Sequence, residues 1–265
     1  MYEKELNCAI EAAETAGREI MKIYMASFEV SYKSDESPVT SADIGANHII
    51  LEKLQASFPK DGILSEESED DESRFTQKRF WVVDPLDGTK EFIKKNGEFS
   101  INIGLVDGGE VVVGVIYIPD WDLLYYASKG KGAYKKSLKD NSIESIQVSK
   151  RLKPYRLLIS RSHPSQKTQL FLAENAEMIA SVTEMGSSIK GCLIADGTYD
   201  VYYNFGLSMK WDTCAMECIV SESGGILRKL NDAPIDYLED NKLNRGFYIV
   251  NNWNNRVDLT KIFEM

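Results

Sequence analysis

At 265 residues, 43% hydrophobic and 27% charged, the chain is long enough for one large globular domain or two modest ones, with a well-buried core in either case. Its formal charge of −10 excludes general nucleic-acid binding, which needs a basic surface, and its two histidines (His48, His163) leave little for a histidine zinc site or a histidine-dependent serine triad. No apolar run approaches a membrane span, and Glu3, Lys4 and Glu5 stand where a signal peptide needs an apolar core. With the scattered Cys8, Cys192, Cys214 and Cys218 read as free thiols, a cytoplasmic protein without an integral membrane segment is expected, peripheral membrane association being left open.

Residues 2–28 are expected to form a long amphipathic helix, because Leu6, Ile10, Ala13, Ile20, Tyr24 and Phe28 recur at three- and four-residue steps. A polar break over 30–38, holding Asp35, Glu36 and Pro38, separates it from a second helix that starts near Ser41 and stops at Pro59. Gly62-Ile63-Leu64 reads as a short strand ending in Ser65-Glu66-Glu67, with an exposed acidic loop over 68–78. The run Trp81-Val82-Val83-Asp84-Pro85-Leu86-Asp87-Gly88-Thr89 carries a second apolar strand into a proline turn between two aspartates. Residues 99–106 and 111–118 flank Asp107-Gly108-Gly109 as a hairpin, and 123–127 with 133–134 continue an antiparallel meander. Beyond about residue 149 strands and helices alternate: a strand at 157–160, a helix from Ser165, a strand near Ile179, a helix from Ser187, a strand at 199–203, and a helix from Asp212 closed by Gly224-Gly225. The expectation is an α+β half over 1–149 and an α/β half over 150–265, without a flexible linker between them.

Asp84 and Asp87 bracket a rigid turn, Gly88 allows close backbone approach, and Thr89 opens a short helix through Phe92 whose N–H groups favour phosphate. Two carboxylates so held suit a hard cation that takes oxygen ligands, such as Mg²⁺, with the Leu86 carbonyl as a further donor. The bare Asp-Gly dipeptide reads first as a plain polar turn, but the whole string satisfies three requirements at once. Glu66-Glu67 is alone a solvated loop edge and, beside Asp84, a second arm of a metal site. Asp212 and Asp43 each lie in a first helical turn, where capping and metal or water binding are both open and not exclusive. Cys214 and Cys218 share a helix face and read as core rather than as a metal pair. His163 follows an apolar strand and reads as ligand contact or surface histidine, while Gly186-Ser187-Ser188-Ile189-Lys190 offers a phosphate cradle at a helix start. The Walker and Gly-x-Gly-x-x-Gly patterns are missing, so triphosphate and dinucleotide binding lose support.

With these residues in place the sequence resembles the inositol monophosphatase-like superfamily of Mg²⁺-dependent, lithium-sensitive phosphatases over nearly its whole length. The likeness rests on Val39-Thr40-Ser41-Ala42-Asp43, Leu64-Ser65-Glu66-Glu67-Ser68, the 84–89 run, and Trp211-Asp212 with the trailing Gly224-Gly225. The longer string through Lys90-Glu91-Phe92-Ile93, Asn96-Gly97-Glu98-Phe99, Ile159-Ser160-Arg161-Ser162-His163 and Gly186-Ser187-Ser188-Ile189-Lys190 are similar to its 3′(2′),5′-bisphosphate nucleotidase branch, which removes the 3′-phosphate of adenosine 3′,5′-bisphosphate, a by-product of sulfur metabolism. The resemblance implies a layered αβαβα, carbohydrate-phosphatase-like sandwich of mixed α+β and α/β character, with an antiparallel N-terminal sheet and a mixed C-terminal sheet. It implies a metal-binding N-terminal half and a substrate-binding C-terminal half.

The same resemblance implies that Glu66, Asp84, the Leu86 carbonyl, Asp87 and Asp212 ligate Mg²⁺ and that Asp43 and Thr89, with Glu66, act on the attacking water. Gly88, Thr89, His163, Ser187, Lys190 and Asp212 would meet a small phosphorylated nucleotide. One departure stands out. An arginine that often follows the strand matching 199–202 in the nucleotidase branch is replaced here by the uncharged Asn204, so either Lys210 supplies the cation or the substrate preference differs. The readings that compete with the nucleotidase are an inositol or sugar monophosphate phosphatase and, in another class, a non-catalytic metal or nucleotide sensor; the complete acidic set disfavours the sensor.

Overall fold

Alanines one helical turn apart decide how the N-terminal layer packs. Ala9, Ala12, Ala13, Ala16 and Ile20 form a wholly buried stripe on α1 (Glu3–Met25) and let α2 (Ser41–Ser57) and a sheet approach closely. The computed structural model describes residues 2–33, 37–70, 72, 76–77, 79–162 and 165–263. The chain forms five layers. α1 and α2 cover one face of a seven-stranded sheet made of β3 (Gly62–Ser65), β4 (Arg79–Asp87), β5 (Ser100–Asp107), β6 (Glu110–Ile118), β7 (Leu123–Ser128), β8 (Ala133–Ser137) and β9 (Ile143–Ile146), in that spatial order.

Strand alternation sorts the side chains between layers. Trp81 and Val83 of β4 point to α1 and α2, whereas Phe80 and Val82 join a second core with α5 (Ile189–Ala195) and α6 (Lys210–Glu222). Those two helices also cover a five-stranded sheet ordered β11 (Ile179–Met185), β10 (Tyr155–Ser160), β12 (Val201–Asn204), β16 (Phe247–Val250), β14 (Ile226–Lys229). Its far face, with Leu157, Tyr203 and Tyr248, is closed by Phe171 of α4 (Gln166–Glu174) and Ile262 of α7 (Thr260–Phe263). Small antiparallel pairs, β1 (Val30–Tyr32) with β2 (Pro38–Thr40) and β13 (Ser208–Met209) with β15 (Leu243–Asn244), lie outside the two sheets.

The seven-stranded sheet is antiparallel from β4 to β9, as expected of the N-terminal sheet, and β3 adds to its edge parallel to β4. The five-stranded sheet is mixed, with β11, β10 and β12 parallel and β16 antiparallel to its neighbours. Helix α6 lies directly on the first sheet because Gly104 and Gly114 carry no side chain. A Cβ on Gly104 would stand 2.5 Å from Cys214 Sγ, and one on Gly114 would meet the Ala215 carbonyl. That close approach sets the start of α6, and Asp212 with it, against the ends of β4 and β5. Cys214 and Cys218 are buried free thiols in this core, as their spacing led one to expect.

α2 starts at Ser41 as expected, and Thr40 before it is the cap, its hydroxyl accepting from the Ala42 N–H. Other boundaries differ from the sequence expectation for local reasons. The α5 helix begins at Ile189 because Ser187 takes a left-handed φ of +44°. β16, which sits between β12 and β14, comes from a four-residue run too short to announce itself. The first sheet draws on residues 62–146 and the second on 155–250, while α5 and α6 lie in the one core that both sheets share. Asp35 and Glu36 lie outside the described residues.

Candidate metal and phosphate site

In an unbroken strand, positions 84 and 87 face opposite sides. Here β4 continues through Asp87 instead of ending at Asp84, and its pairing slips between them: Asp84 opposes Asn102 while Asp87 opposes Ser100. One extra residue is therefore accommodated at Pro85-Leu86, where proline has no ladder N–H to lose. The bulge turns both carboxylates to the same side. They meet Asp212 from α6, and ligand oxygens of Asp84, Asp87 and Asp212 all lie within 4.8 Å of one another.

Two of the three carboxylates are held by the backbone near them. Asp84 Oδ1 accepts from the Leu86 N–H at 3.1 Å, and Asp212, third residue of α6, accepts from the Met209 N–H at 2.7 Å. Asp87 is tied across the molecule: its Oδ2 accepts from the N–H and the hydroxyl of Ser188, both at 2.6 Å, and from Asn102 Nδ2 at 3.3 Å. Asn102 itself donates to Ser188 Oγ at 2.9 Å. Two adjacent strands of the first sheet, β4 and β5, and the turn before α5 are thereby locked together.

Glu66 stands at the rim of this cluster and outside the 4.8 Å set. Lys33 donates to Glu66 Oε1 at 2.9 Å and to Glu67 Oε1 at 2.6 Å. The turn that carries both glutamates is pinned by Asn47 of α2, which accepts from the Ser65 hydroxyl at 2.7 Å and donates to Ser68 Oγ at 3.0 Å. Beside the cluster, Thr89 donates to Asp43 Oδ1 at 3.0 Å, while Asp43 Oδ2 accepts from the Thr40 N–H and hydroxyl at 2.8 and 2.7 Å. Asp43 thus caps its helix and faces the site at once. Thr89 opens α3 (Thr89–Ile93), and its hydroxyl also lies 3.4 Å from the Leu86 carbonyl.

The electrostatics are those of carboxylates crowded in a poorly solvated place. Burial, then the charges of Glu66, Asp87 and Asp212, push the Asp84 carboxyl well above its ordinary pKa; burial and Asp87 do the same to Asp212. Burial raises Asp43 against the opposing hydrogen bonds of Thr40 and Thr89, and raises Glu66 against Lys33. Such a group of like charges, all oxygen donors without nitrogen or sulfur, fits a hard divalent cation that would offset their repulsion.

A cavity of about 270 Å³ opens at the cluster and is continuous with a larger one of about 560 Å³, sharing with it Glu66, Asp87, Gly88, Thr89, Ser208 and Asp212. The larger cavity is walled by Ser187, Lys190, Tyr202, Asn204 and Phe247 among others. Gly88 needs its φ of +95° here, and a Cβ on it would stand 3.0 Å from the Glu98 carbonyl. Lys190 reaches this wall, yet its ammonium donates to the Ser187 and Met185 carbonyls at 2.6 and 3.2 Å and lies over the Tyr202 ring. Burial lowers its pKa. His163 lies outside the described residues.

Lys210, one of the two explanations for the uncharged Asn204, is buried, donates to the Glu239 carbonyl at 2.5 Å and lines neither cavity. Asn204 is on the wall, its Oδ1 accepting from the Gly206 N–H at 3.0 Å. Residues that sequence reasoning missed are Lys33, Asn102 and Ser208, whose buried hydroxyl has no partner among the described residues. Asn102 left a signal: an amide inside the apolar strand 101–106 is out of place unless it serves something.

The model of the inositol monophosphatase family matches residues 1–262. The 3′(2′),5′-bisphosphate nucleotidase CysQ of Buchnera aphidicola subsp. Acyrthosiphon pisum (strain APS) is 40% identical over 254 residues, covering 94% of each chain. That of Escherichia coli (strain K12) is 38% identical over 248 residues, covering 92% of this chain and 98% of the relative. Among solved structures, CysQ from Bacteroides thetaiotaomicron, described as a bacterial member of the inositol monophosphatase family, superposes with a TM-score of 0.84 at 34% identity, over 97% of this chain and 99% of that one. The extragenic suppressor protein suhB of Bartonella henselae follows at a TM-score of 0.81 and 26% identity, over 98% of both.

Proposed function

The chain belongs to the inositol monophosphatase family, and from that premise we propose that it is a Mg²⁺-dependent 3′(2′),5′-bisphosphate nucleotidase, removing the 3′-phosphate of adenosine 3′,5′-bisphosphate. The observation that carries this reading is the Asp84, Asp87 and Asp212 cluster opening into a cavity walled by Lys90, Glu91, Ser160, Ser162 and the 186–190 turn, from segments that resemble the nucleotidase branch. Nucleotidases at 38–40% identity over nearly the whole chain support the substrate.

Glu66, Asp84, the Leu86 carbonyl, Asp87 and Asp212 would hold the metal. When bound, Mg²⁺ supplies Lewis-acid activation of water and neutralises charge on the phosphoryl group. The protein then has to orient and deprotonate that water. Thr89 Oγ1, already donating to Asp43, can pass a proton to it when its own oxygen receives one from the water. Asp43 is a better acceptor for being buried, since the same desolvation that raises its pKa makes its anion more basic. Gly88 admits the phosphate close to the backbone, and Ser187, Lys190 and His163 would lie along the nucleotide. The acidic chain thus meets an anionic substrate through the metal rather than through a basic surface.

The partition at 149/150 is proposed as a metal-binding half and a substrate-binding half, with Asp212 reaching across from the second. Cytoplasmic residence is proposed on four buried free thiols; among the described residues no helix is long and apolar enough to cross a membrane.

Phosphate release from adenosine 3′,5′-bisphosphate, 3′-phosphoadenosine 5′-phosphosulfate, inositol 1-phosphate and fructose 1,6-bisphosphate, each with and without Mg²⁺, tests the reading. Preference for the nucleotides is expected. Preference for inositol or sugar phosphates would overturn it in favour of the one competing reading with an observation behind it: the uncharged Asn204, with Lys210 turned away from the cavity.

A further inference from the structure

The three segments outside the metal turn that liken this chain to nucleotidases, 96–99, 159–163 and 186–190, converge on one carboxylate. Glu98 Oε2 accepts from the Gly186 N–H at 2.7 Å and from Arg161 Nε at 2.7 Å, while its Oε1 accepts from Arg161 Nη2 at 2.7 Å. Such a fork-on-fork pair fixes orientation as well as distance. Arg161 is anchored in turn to β11, through the Glu184 carbonyl at 2.9 Å and the Met185 carbonyl at 3.3 Å.

The backbone of the same residue touches both sides of the cavity. The Glu98 carbonyl lies 3.0 Å from where a Cβ on Gly88 would stand and 2.8 Å from that of Gly186. The turn it grips is one that needs gripping. Ser187 holds a left-handed φ of +44°, a conformation that persists only where the surroundings over-determine it. Glu98 fixes the residue before it, and Asp87 fixes the residue after it through the Ser188 N–H.

We propose that Glu98, clamped by Arg161, is a positioning residue that sets the gap between the Gly88 turn at the metal cluster and the Gly186–Ser187 turn on the wall of the larger cavity. It thereby governs how well the nucleotide part of a substrate seats while its scissile phosphate lies at the cluster. The proposal rests on the nucleotidase reading above.

The test compares wild type with Glu98→Gln, Arg161→Lys and the double variant, each loaded with Mg²⁺. The readouts are kcat and KM for adenosine 3′,5′-bisphosphate, the Mg²⁺ activation midpoint, and inhibition by the two products, inorganic phosphate and adenosine 5′-monophosphate. A misplaced wall should raise KM and the adenosine 5′-monophosphate inhibition constant about tenfold, with kcat, the Mg²⁺ midpoint and phosphate inhibition within about twofold. The double variant should be no worse than Glu98→Gln alone, because the pair acts as a unit. Arg161→Lys keeps the charge and the fold while losing the fork. Loss of kcat or of Mg²⁺ affinity at unchanged KM, or additive effects of the two substitutions, would overturn the proposal. A wild type that cleaves only sugar monophosphates would overturn the nucleotidase reading and the proposal together. A wild type that cleaves the bisphosphate, with variants equal to it, would sink the positioning role alone.

Discussion

The two joined cavities are walled by different kinds of structure. The smaller is lined by the Asp84 and Asp87 carboxylates of β4 and Asp212 in the first turn of α6, on elements with wholly buried neighbours, with Glu66 on the turn after β3. The larger adds to these a wall in which turns at strand ends, Gly186–Ser187 and Gly206–Leu207, stand beside strand residues such as Tyr202 and Phe247, the first turn being held by side-chain bonds such as Glu98 to Gly186 and Lys190 to Ser187. The chemistry common to phosphate hydrolysis is built where nothing can move without opening a core, and the recognition of what carries the phosphate is built where single substitutions can adjust a turn.

The comparison breaks first at the cluster. Asp84→Asn or Asp212→Asn should lower Mg²⁺-dependent phosphate release by at least ~10³-fold, since it removes charge stabilisation worth several kcal/mol. The protein should stay folded. Burial and neighbouring charges raise Asp84 well above its ordinary pKa, so the folded state binds that proton more tightly than the unfolded chain. Without metal, stability is therefore present at acid pH and lost as pH rises through the raised value. At pH 7 in a chelator, Asp84→Asn should melt no lower than wild type, and higher if relief of repulsion dominates. Retained Mg²⁺-dependent turnover in either variant would defeat the assignment.

Next in size is the proton path. Thr89→Ala should cost about 10²–10³-fold in kcat, the range of a lost general-base relay, while the Mg²⁺-induced rise in melting temperature is retained. A loss of that thermal shift along with kcat would move Thr89 from the water to the metal.

How much of this was legible in the sequence follows the same division. The spacing of Asp84 and Asp87 around Pro85 pointed to a cation, and the structure adds why both face one way: a bulge that slips the register by one residue. The long amphipathic helix, the hairpin and the strand-helix alternation were readable because each repeats a period over many residues. What could not be read were long-range pairings between single residues. Lys33 with Glu66, Asp87 with Ser188, and Glu98 with Arg161 join positions 33, 101 and 63 residues apart, and no local pattern records such a bond. Asn102 is the exception, an amide conspicuous in an apolar strand.

A control for the cluster lies farther along α6. Glu217 is a half-buried carboxyl that accepts from the Tyr237 hydroxyl at 2.8 Å, and desolvation pushes its pKa up to about 7. It lies on the same helix as Asp212 and is not among the clustered ligands. Its raised folded pKa means that stability is present at acid pH and lost as pH rises from the ordinary carboxylate range through about 7. Glu217→Gln keeps an acceptor for Tyr237 without the charge. It should raise the melting temperature by a few degrees at pH 8, corresponding to about 1–2 kcal/mol, and change little at pH 5. A variant equally stabilised at both pH values would show that packing, not ionisation, separates the two residues.

The smallest expected effect sharpens the recognition side. Asn204 stands on the wall of the larger cavity, where the nucleotidase resemblance would place an arginine, and its Oδ1 already caps the Gly206 N–H. Asn204→Arg would bring a guanidinium to a half-exposed position facing an anionic nucleotide. A charge-assisted bond is worth about 1.5–3 kcal/mol when well formed, and solvent screening reduces it here to about 1 kcal/mol. KM for adenosine 3′,5′-bisphosphate should therefore fall about three- to tenfold, with kcat unchanged and inhibition by inorganic phosphate unaltered. The gain should shrink as ionic strength rises, because the added contact is electrostatic and partly solvated. If KM instead rises, the lost Gly206 cap matters more than the added charge, and the uncharged wall is itself part of how this cavity fits its substrate.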